Sequence, residues 1–244
     1  MIEKFRYFEK NTCRRAINMV NFLMKDNYDF YDLVKLTKVL RSENGCPWDR
    51  EQTHKSIRMN FVEEVYEACE AIDNEDTALL LEELGDVMAQ VVFHAELETE
   101  IGSFDIDDVA DGVCKKFILR HPHVFGDVSA DTSEEVLKNW DDIKRVEKNQ
   151  KTHSSAMDSV ARSLPALMRA EKLCSKAKKA GTPEKSLGEL SQSIRDELSR
   201  GEDMSIANIL MDVVRLSRVL KVNPEEALDA KNEEFIREFR EKEI

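Results

Sequence analysis

Eight glycines and five prolines are all that 244 residues offer for tight turns, where average usage would supply roughly 12% of a chain. Sandwiches, barrels and doubly wound sheets turn at every strand end and need more of both. Good helix formers, Leu, Glu, Lys and Ala, recur along the whole length. The chain is therefore expected to be all-α. A chain of this size makes one large domain or two of about 100–150 residues, and its 41% hydrophobic content suffices for a packed core.

Acidic residues (49) exceed basic ones (36), for a net charge of −13. That charge opposes docking on nucleic acid and suits a protein that holds cations, or polyanionic small molecules through cations. No apolar run approaches the roughly 18–20 residues of a membrane span, so no membrane partner is expected. The opening MIEKFRYFEKNTCRR carries charges where a signal peptide needs an apolar stretch. Five cysteines, Cys13, Cys46, Cys69, Cys114 and Cys174, form no CxxC pair. They suit reduced thiols in a cytoplasmic setting and argue against a zinc site.

Residues 1–30 read as a helix plus a connector, an N-terminal extension without a motif. Asp32–Leu40 is a short amphipathic helix, broken by Asn-Gly and Pro in residues 42–48. Between Ser56 and Asp73 the positions Val62, Val65, Tyr66, Cys69 and Ile72 recur at helical spacing. The same pattern over Thr77–Glu98 predicts a second, longer helix after a polar turn at 73–76. Helices are also expected at Ile106–Arg120, which stops short of Pro122, and at Ser133–Asn149. A polar stretch at 150–159 reads as a boundary. Beyond it the layout repeats, with helices at Leu164–Ala180, Leu187–Ser199, Ile206–Leu220 and Pro224–Glu243. Two four-helix units in series are expected, the first over 31–150 and the second over 160–244.

Two acidic pairs stand on consecutive helices of the first unit. Glu64 and Glu67 lie three apart and share a helix face, and Glu83 and Asp86 do the same on the next helix. Antiparallel packing across the 73–76 turn can set the pairs opposite each other. Four convergent carboxylates repel one another unless a cation joins them. Mg²⁺, which takes oxygen ligands and keeps waters and phosphates among them, is the natural guest. With 49 acidic residues in 244, about one in five, such pairs also arise as ordinary solvated faces, so spacing alone leaves both readings open. A helical interaction or regulatory protein is then the rival, and a carboxylate-bridged redox metal protein a weaker one. The latter wants Glu-x-x-His on two helices, and only Glu51…His54 fits. No glycines stand where a Walker A loop or a GxGxxG turn needs them. His121 and His123, flanking Pro122 without cysteine partners, read as helix-end histidines.

Longer segments carry a resemblance. GCPWDREQTHKSI (45–57), EEVYEACEAI (63–72), EELGDVMAQVVFHAE (82–96), RHPHVFGD (120–127), NWDDIK (139–144) and SLPALMRAEKL (163–173) together resemble a MazG-type nucleoside triphosphate pyrophosphohydrolase. The match runs from about Leu33 to the C-terminus. It implies an all-α pyrophosphohydrolase fold in tandem repeat, usually a homodimer. It also implies Mg²⁺-dependent hydrolysis of NTPs or dNTPs to monophosphate and pyrophosphate, cleaving between the α and β phosphates in a nucleotide-pool house-cleaning role, with Mn²⁺ as a possible substitute. Glu64, Glu67, Glu83 and Asp86 match the family's ExxE and ExxD metal ligands. Lys116 and Arg120 match basic positions that meet the triphosphate, and Trp140 an aromatic position near the nucleotide. Trp48 is a further candidate for substrate stacking, and Glu63 for activating the attacking water.

The second half departs from this pattern. Its counterpart of the first pair is Glu197 with Arg200, and of the second pair Ile209 with Asp212; the phosphate-binding lysine appears as Glu234. The expectation is a catalytically silent copy, with Arg200 pairing to Glu197 or Asp212.

Overall fold

The computed structural model describes residues 22–147 and 153–242, with the side chains of 141, 142, 145, 146 and 153 left aside. Among the described residues there are twelve α-helices, one 3₁₀ turn and no strand. The all-α expectation holds. Most of the helix read in residues 1–30 lies outside the described residues, and 22–29 form an irregular lead. By internal contacts the chain divides after Leu119 into two units.

In the first unit, α1 (Phe30–Arg41) starts at a reciprocal cap in which Asp29 accepts from the Asp32 amide and Asp32 from the Asp29 amide, both at 3.0 Å. The Asn-Gly turn ends it. A Cβ on Gly45 would collide with the carbonyls of Val39 and Leu40, so only glycine lets the chain fold back there. The segment 42–48 was expected only to break helix structure. It also starts one, α2 (Pro47–Glu51), because proline at the first helical position loses no hydrogen bond.

Next come α3 (Arg58–Asp73) and α4 (Thr77–Glu100), which form the most extensive helix pair of the unit. Asp76 caps α4 by accepting from the Ala78 and Leu79 amides, each at 3.0 Å. The buried apolar residues of the hairpin are mostly small: Ala68 and Ala71 on α3, Val92 and Ala95 on α4, with Ile57 just before α3. Small side chains let the two backbones run close. Arg41 ties α1 to α4 through Glu100, at 2.6 and 2.8 Å, and donates to the carbonyls of Asp49 and Gln52. α5 (Ile106–Arg120) follows, its Phe117, Ile118 and Leu119 exposed.

The second unit holds α6 (Pro122–Phe125), α7 (Ser133–Glu147), α8 (His153–Asp158), α9 (Ala166–Lys179), α10 (Leu187–Leu198), α11 (Ile206–Leu220) and α12 (Pro224–Lys242). Its core centres on Val160, Leu190 and Val214. α10 opens with a capping box between Ser186 and Glu189 and turns into α11 at Gly201, whose φ of +61° glycine adopts without strain. α9 packs on α11, α8 and α12. α8 occupies part of the stretch read as a polar boundary; its one and a half turns are too short for an apolar period to show in sequence.

Candidate active site

The α3–α4 hairpin brings Glu64, Glu83 and Asp86 together: one carboxylate oxygen from each lies within 4.8 Å of the others. Glu67, one turn beyond Glu64, faces Glu83 closely enough to hydrogen-bond with it when a proton is present. All four predicted acids thus gather at one place. Their exposure differs. Glu83 is buried, Glu64 half-buried, and Glu67 and Asp86 are open to solvent. Glu63, on the same helix, is exposed and outside the triad.

Burial and neighbouring carboxylates set the electrostatics of Glu64 and Glu83. Burial, followed by the charges of Asp86, Glu67 and Glu83, pushes the Glu64 carboxyl above its ordinary value, while the Gln90 side chain pulls the other way. Burial also leads for Glu83, with Glu67, Asp86 and Glu82 adding to the rise. Among the described residues no Lys or Arg forms an ion pair with any of the four. Hard oxygen donors converging without a protein cation fit a hard divalent metal ion.

The second unit offers the contrast. Glu197 and Asp212, expected to match the acidic pairs, are buried, and both are already partnered. Glu197 accepts from the Ser205 amide at 2.7 Å and from Asn208 at 3.4 Å, and Arg200 lies 3.3 Å away. Asp212 accepts from Ser193 and Arg215, each at 2.7 Å, with Lys185 at 3.9 Å. The Ser205 amide leads in holding Glu197 below the usual carboxylate range. Burial alone would raise Asp212, and the bonds from Ser193 and Arg215 outweigh it. Ile209 is half-buried, and Glu234 pairs with Lys231 at 2.8 Å.

The remaining candidates are not alike. Lys116, half-buried, extends over the Phe117 ring, 5.7 Å from its centroid. Arg120 is buried, its Nε and Nη2 both donating to Glu147 at 2.9 and 2.8 Å and its guanidinium over Trp140. His121 stands at the N-cap position of α6 without a side-chain capping bond and meets the Trp140 ring edge-on. Trp48 stands 58% exposed on α2.

Sequence reasoning missed two groups. Gln90 lies one turn past Asp86, a spacing that places both on one face of α4 and could have pointed to it. His54 faces His94, their Nδ1 atoms 2.7 Å apart, and its Nε2 meets Glu98 at 2.8 Å. Sequence spacing sets His54 only beside Glu51, whereas its partners His94 and Glu98 come from α4.

Comparison with known proteins agrees with this picture. Residues 52–125 match the MazG nucleotide pyrophosphohydrolase domain, a stretch that takes in both acidic pairs, Gln90, Lys116 and Arg120 but neither tryptophan. The chain is 42% identical over 214 residues to the Escherichia coli K12 nucleoside triphosphate pyrophosphohydrolase, covering 82% of this chain and 81% of that protein. It is 39% identical over 222 residues to the Thermotoga maritima nucleoside triphosphate pyrophosphohydrolase/pyrophosphatase MazG, covering 88% of this chain and 85% of that one. It is also 42% identical over 227 residues to the uncharacterized protein YabN of Bacillus subtilis, of whose length it spans only 46%.

Proposed function

We propose a function from one premise: the chain belongs to the MazG family of nucleotide pyrophosphohydrolases. It hydrolyses nucleoside triphosphates, NTPs or dNTPs, to the monophosphate and pyrophosphate, a house-cleaning activity on the nucleotide pool. The observation that carries this reading is the asymmetry of the two acidic sites: Glu64, Glu83 and Asp86 converge with no Lys or Arg among the described residues paired to them, whereas Asp212 is held by Arg215.

Glu64, Glu67, Glu83 and Asp86 would hold Mg²⁺, or Mn²⁺ in its place. Bound there, the ion supplies Lewis-acid polarisation of phosphoryl oxygens and lowers the pKa of water. The chain's own residues do the rest. The four carboxylates fix where the triphosphate docks, and their mutual repulsion keeps the site closed to phosphate until a cation is present. Glu63, exposed on the same helix, is the candidate base that takes a proton from the attacking water. Lys116 serves the phosphate end of the substrate. Arg120, engaged by Glu147, serves by holding Trp140, the aromatic surface for the nucleotide, with Trp48 as a second stacking candidate.

The catalytic unit is placed at 31–150 and a catalytically silent copy at 160–244. Exposed apolar residues on α3, α4 and α5, among them Val65, Leu84, Met88 and Phe117, support a homodimer. Four described cysteines are free thiols, which supports a cytoplasmic protein. Among the described residues no helix is long and apolar enough to cross a membrane. The net charge of −13 disfavours nucleic acid as a partner.

A panel of NTPs and dNTPs with Mg²⁺, scored for monophosphate and pyrophosphate, tests the proposal. Release of both products, abolished by chelator, is expected. No turnover on any nucleotide would overturn it.

A further inference from the structure

Three buried side-chain polar atoms lack a hydrogen-bond partner among the described residues, and one of them, the carboxamide oxygen of Gln90, belongs to the wall of the acidic cluster. Gln90 stands four residues after Asp86 on α4, so the two side chains share a helix face one turn apart. Across the hairpin its side chain comes close enough to Glu64 to favour the charged form of that carboxyl. A carboxylate only accepts, so the group turned toward Glu64 is the amide NH₂. With the nitrogen toward Glu64, the oxygen is left buried and without a donor.

A buried acceptor without a partner costs about 1–3 kcal/mol. Such a group calls for a partner, and a bound water or ion is one of the few available. Glu64, which the side chain meets across the hairpin, cannot donate when ionised. The natural partner is therefore a cation or a water that the cation orients. A neutral carbonyl oxygen also adds an oxygen donor to a crowded anionic site without adding charge, which hard divalent ions accept. Groups that orient metal ligands this way typically change metal affinity 10–100-fold when removed.

We propose that Gln90 is a positioning residue for the divalent cation, holding the Glu64 carboxylate with its amide nitrogen and offering its amide oxygen to the cation's shell. This rests on the reading of the acidic cluster as a metal site. It adds a member to that site which lies outside the ExxE and ExxD pairs.

The test is direct Mn²⁺ binding to the full chain, by calorimetry and by the loss of free-ion signal in electron paramagnetic resonance, without nucleotide. Gln90→Met keeps the volume of the side chain and removes both polar atoms. It should weaken Mn²⁺ binding about tenfold while the metal-free protein melts no earlier than wild type. Steady-state assays should show a matching rise in the Mg²⁺ needed for half-maximal rate, with kcat at saturating Mg²⁺ near wild type. Gln90→Glu restores an oxygen but not the donor to Glu64, and should recover only part of the affinity. Wild type and Gln90→Met binding Mn²⁺ equally would overturn the role of Gln90 while leaving the metal site standing. Wild type binding no Mn²⁺ would instead overturn the metal site itself, and the role of Gln90 with it. An earlier-melting Gln90→Met with unchanged affinity would make Gln90 a packing residue only.

Discussion

Arg215 donates to Asp212 at 2.7 Å from one turn further along the same helix. Asp212 thus has a fixed cation from its own chain. Lys185 approaches from the other side at 3.9 Å, and Arg200 does the same for Glu197. Side-chain cations that arrive with folding need no metal, and they occupy the volume and the lone pairs a metal would use. Among the described residues Glu64, Glu67, Glu83 and Asp86 have no such ion pair, and Glu64 and Glu83 are pushed toward protonation instead.

The two aspartates should therefore respond differently to the same change. Asp86→Asn keeps the shape and removes an anionic ligand, and turnover should fall about a hundredfold or more, the scale seen when an electrostatic group is deleted from an active site. Asp212→Asn should leave turnover near wild type. Steady-state kinetics at matched concentration of folded protein decide it, and equal losses would make the second unit a working site.

Acid should act on the second unit through the same carboxylates. Glu197 and Asp212 sit below their ordinary values of 4.5 and 3.8 when folded. The unfolded chain takes up their protons first, so the stability they contribute is present above those values and is lost as pH falls toward the folded ones. Melting curves between pH 3 and 6, taken at steps of about half a unit, should show a steeper loss in wild type than in Glu197→Gln. Parallel curves would mean that these hydrogen bonds contribute nothing.

The helix pattern was legible because long amphipathic helices repeat their apolar positions many times, as α4 and α11 do over 24 and 15 residues. Short helices such as α2, with five residues, offer no period to read. Glu64, Glu67, Glu83 and Asp86 were legible because each pair lies within one helix turn and the turn at 73–76 dictates the hairpin. Gln90 and the His54–His94 contact were not. Their significance depends on which residues meet across two helices, and a neutral amide or a single histidine looks ordinary until its partner is seen. Arg120 shows the opposite case: a position expected to face phosphate is closed over by Glu147 and Trp140, partners 27 and 20 residues further on.

Divalent cations should stabilise the protein without nucleotide. Glu83 is buried beside Glu67 and Asp86, so cation binding to the folded state alone raises the melting temperature by mass action. Glu83→Gln removes one of the repelling charges. It should melt no earlier than wild type in chelator and lose the increase that Mg²⁺ gives wild type. A thermal shift series with and without Mg²⁺ reads both effects, and an unchanged Mg²⁺ response in Glu83→Gln would exclude Glu83 as a ligand.

His94 gives the first unit a pH dependence in a separate range. Burial, and then the neighbouring His54, depress its pKa from 6.5. The unfolded imidazole therefore takes a proton before the folded one does. The stability held by the neutral His94 is present above about pH 6.5 and is lost as pH falls toward the folded value. Glu64 and Glu83 shift in the opposite direction, so the useful quantity is the difference between wild type and His94→Phe. That difference in melting temperature should change between pH 7.5 and 5.5 by more in wild type's disfavour as pH drops. A constant difference would show that the His54–His94 contact does not titrate.

Lys116 and Arg120 share a helix and matched one expected role, yet their surroundings predict opposite phenotypes. Lys116 reaches over Phe117 from a half-buried position. Its removal takes away a cation and little packing, and surface changes of that kind move stability by less than about 0.5 kcal/mol. Lys116→Ala should therefore raise KM for the triphosphate at nearly unchanged melting temperature. Arg120 is 7% exposed, its two nitrogens share one oxygen of Glu147, and its guanidinium covers Trp140 at 5.3 Å. Deleting it leaves Glu147 without its partner and uncovers the indole. Because Glu147 keeps some solvent, the cost should fall below the 3–5 kcal/mol of a fully buried pair, at about 2 kcal/mol. Arg120→Ala should melt several degrees earlier, and Glu147→Gln should reproduce part of that loss. The two variants compared side by side, by melting temperature and by KM, separate a phosphate-binding cation from a packing one. A normal melting temperature in Arg120→Ala together with a large rise in KM would return Arg120 to the phosphate.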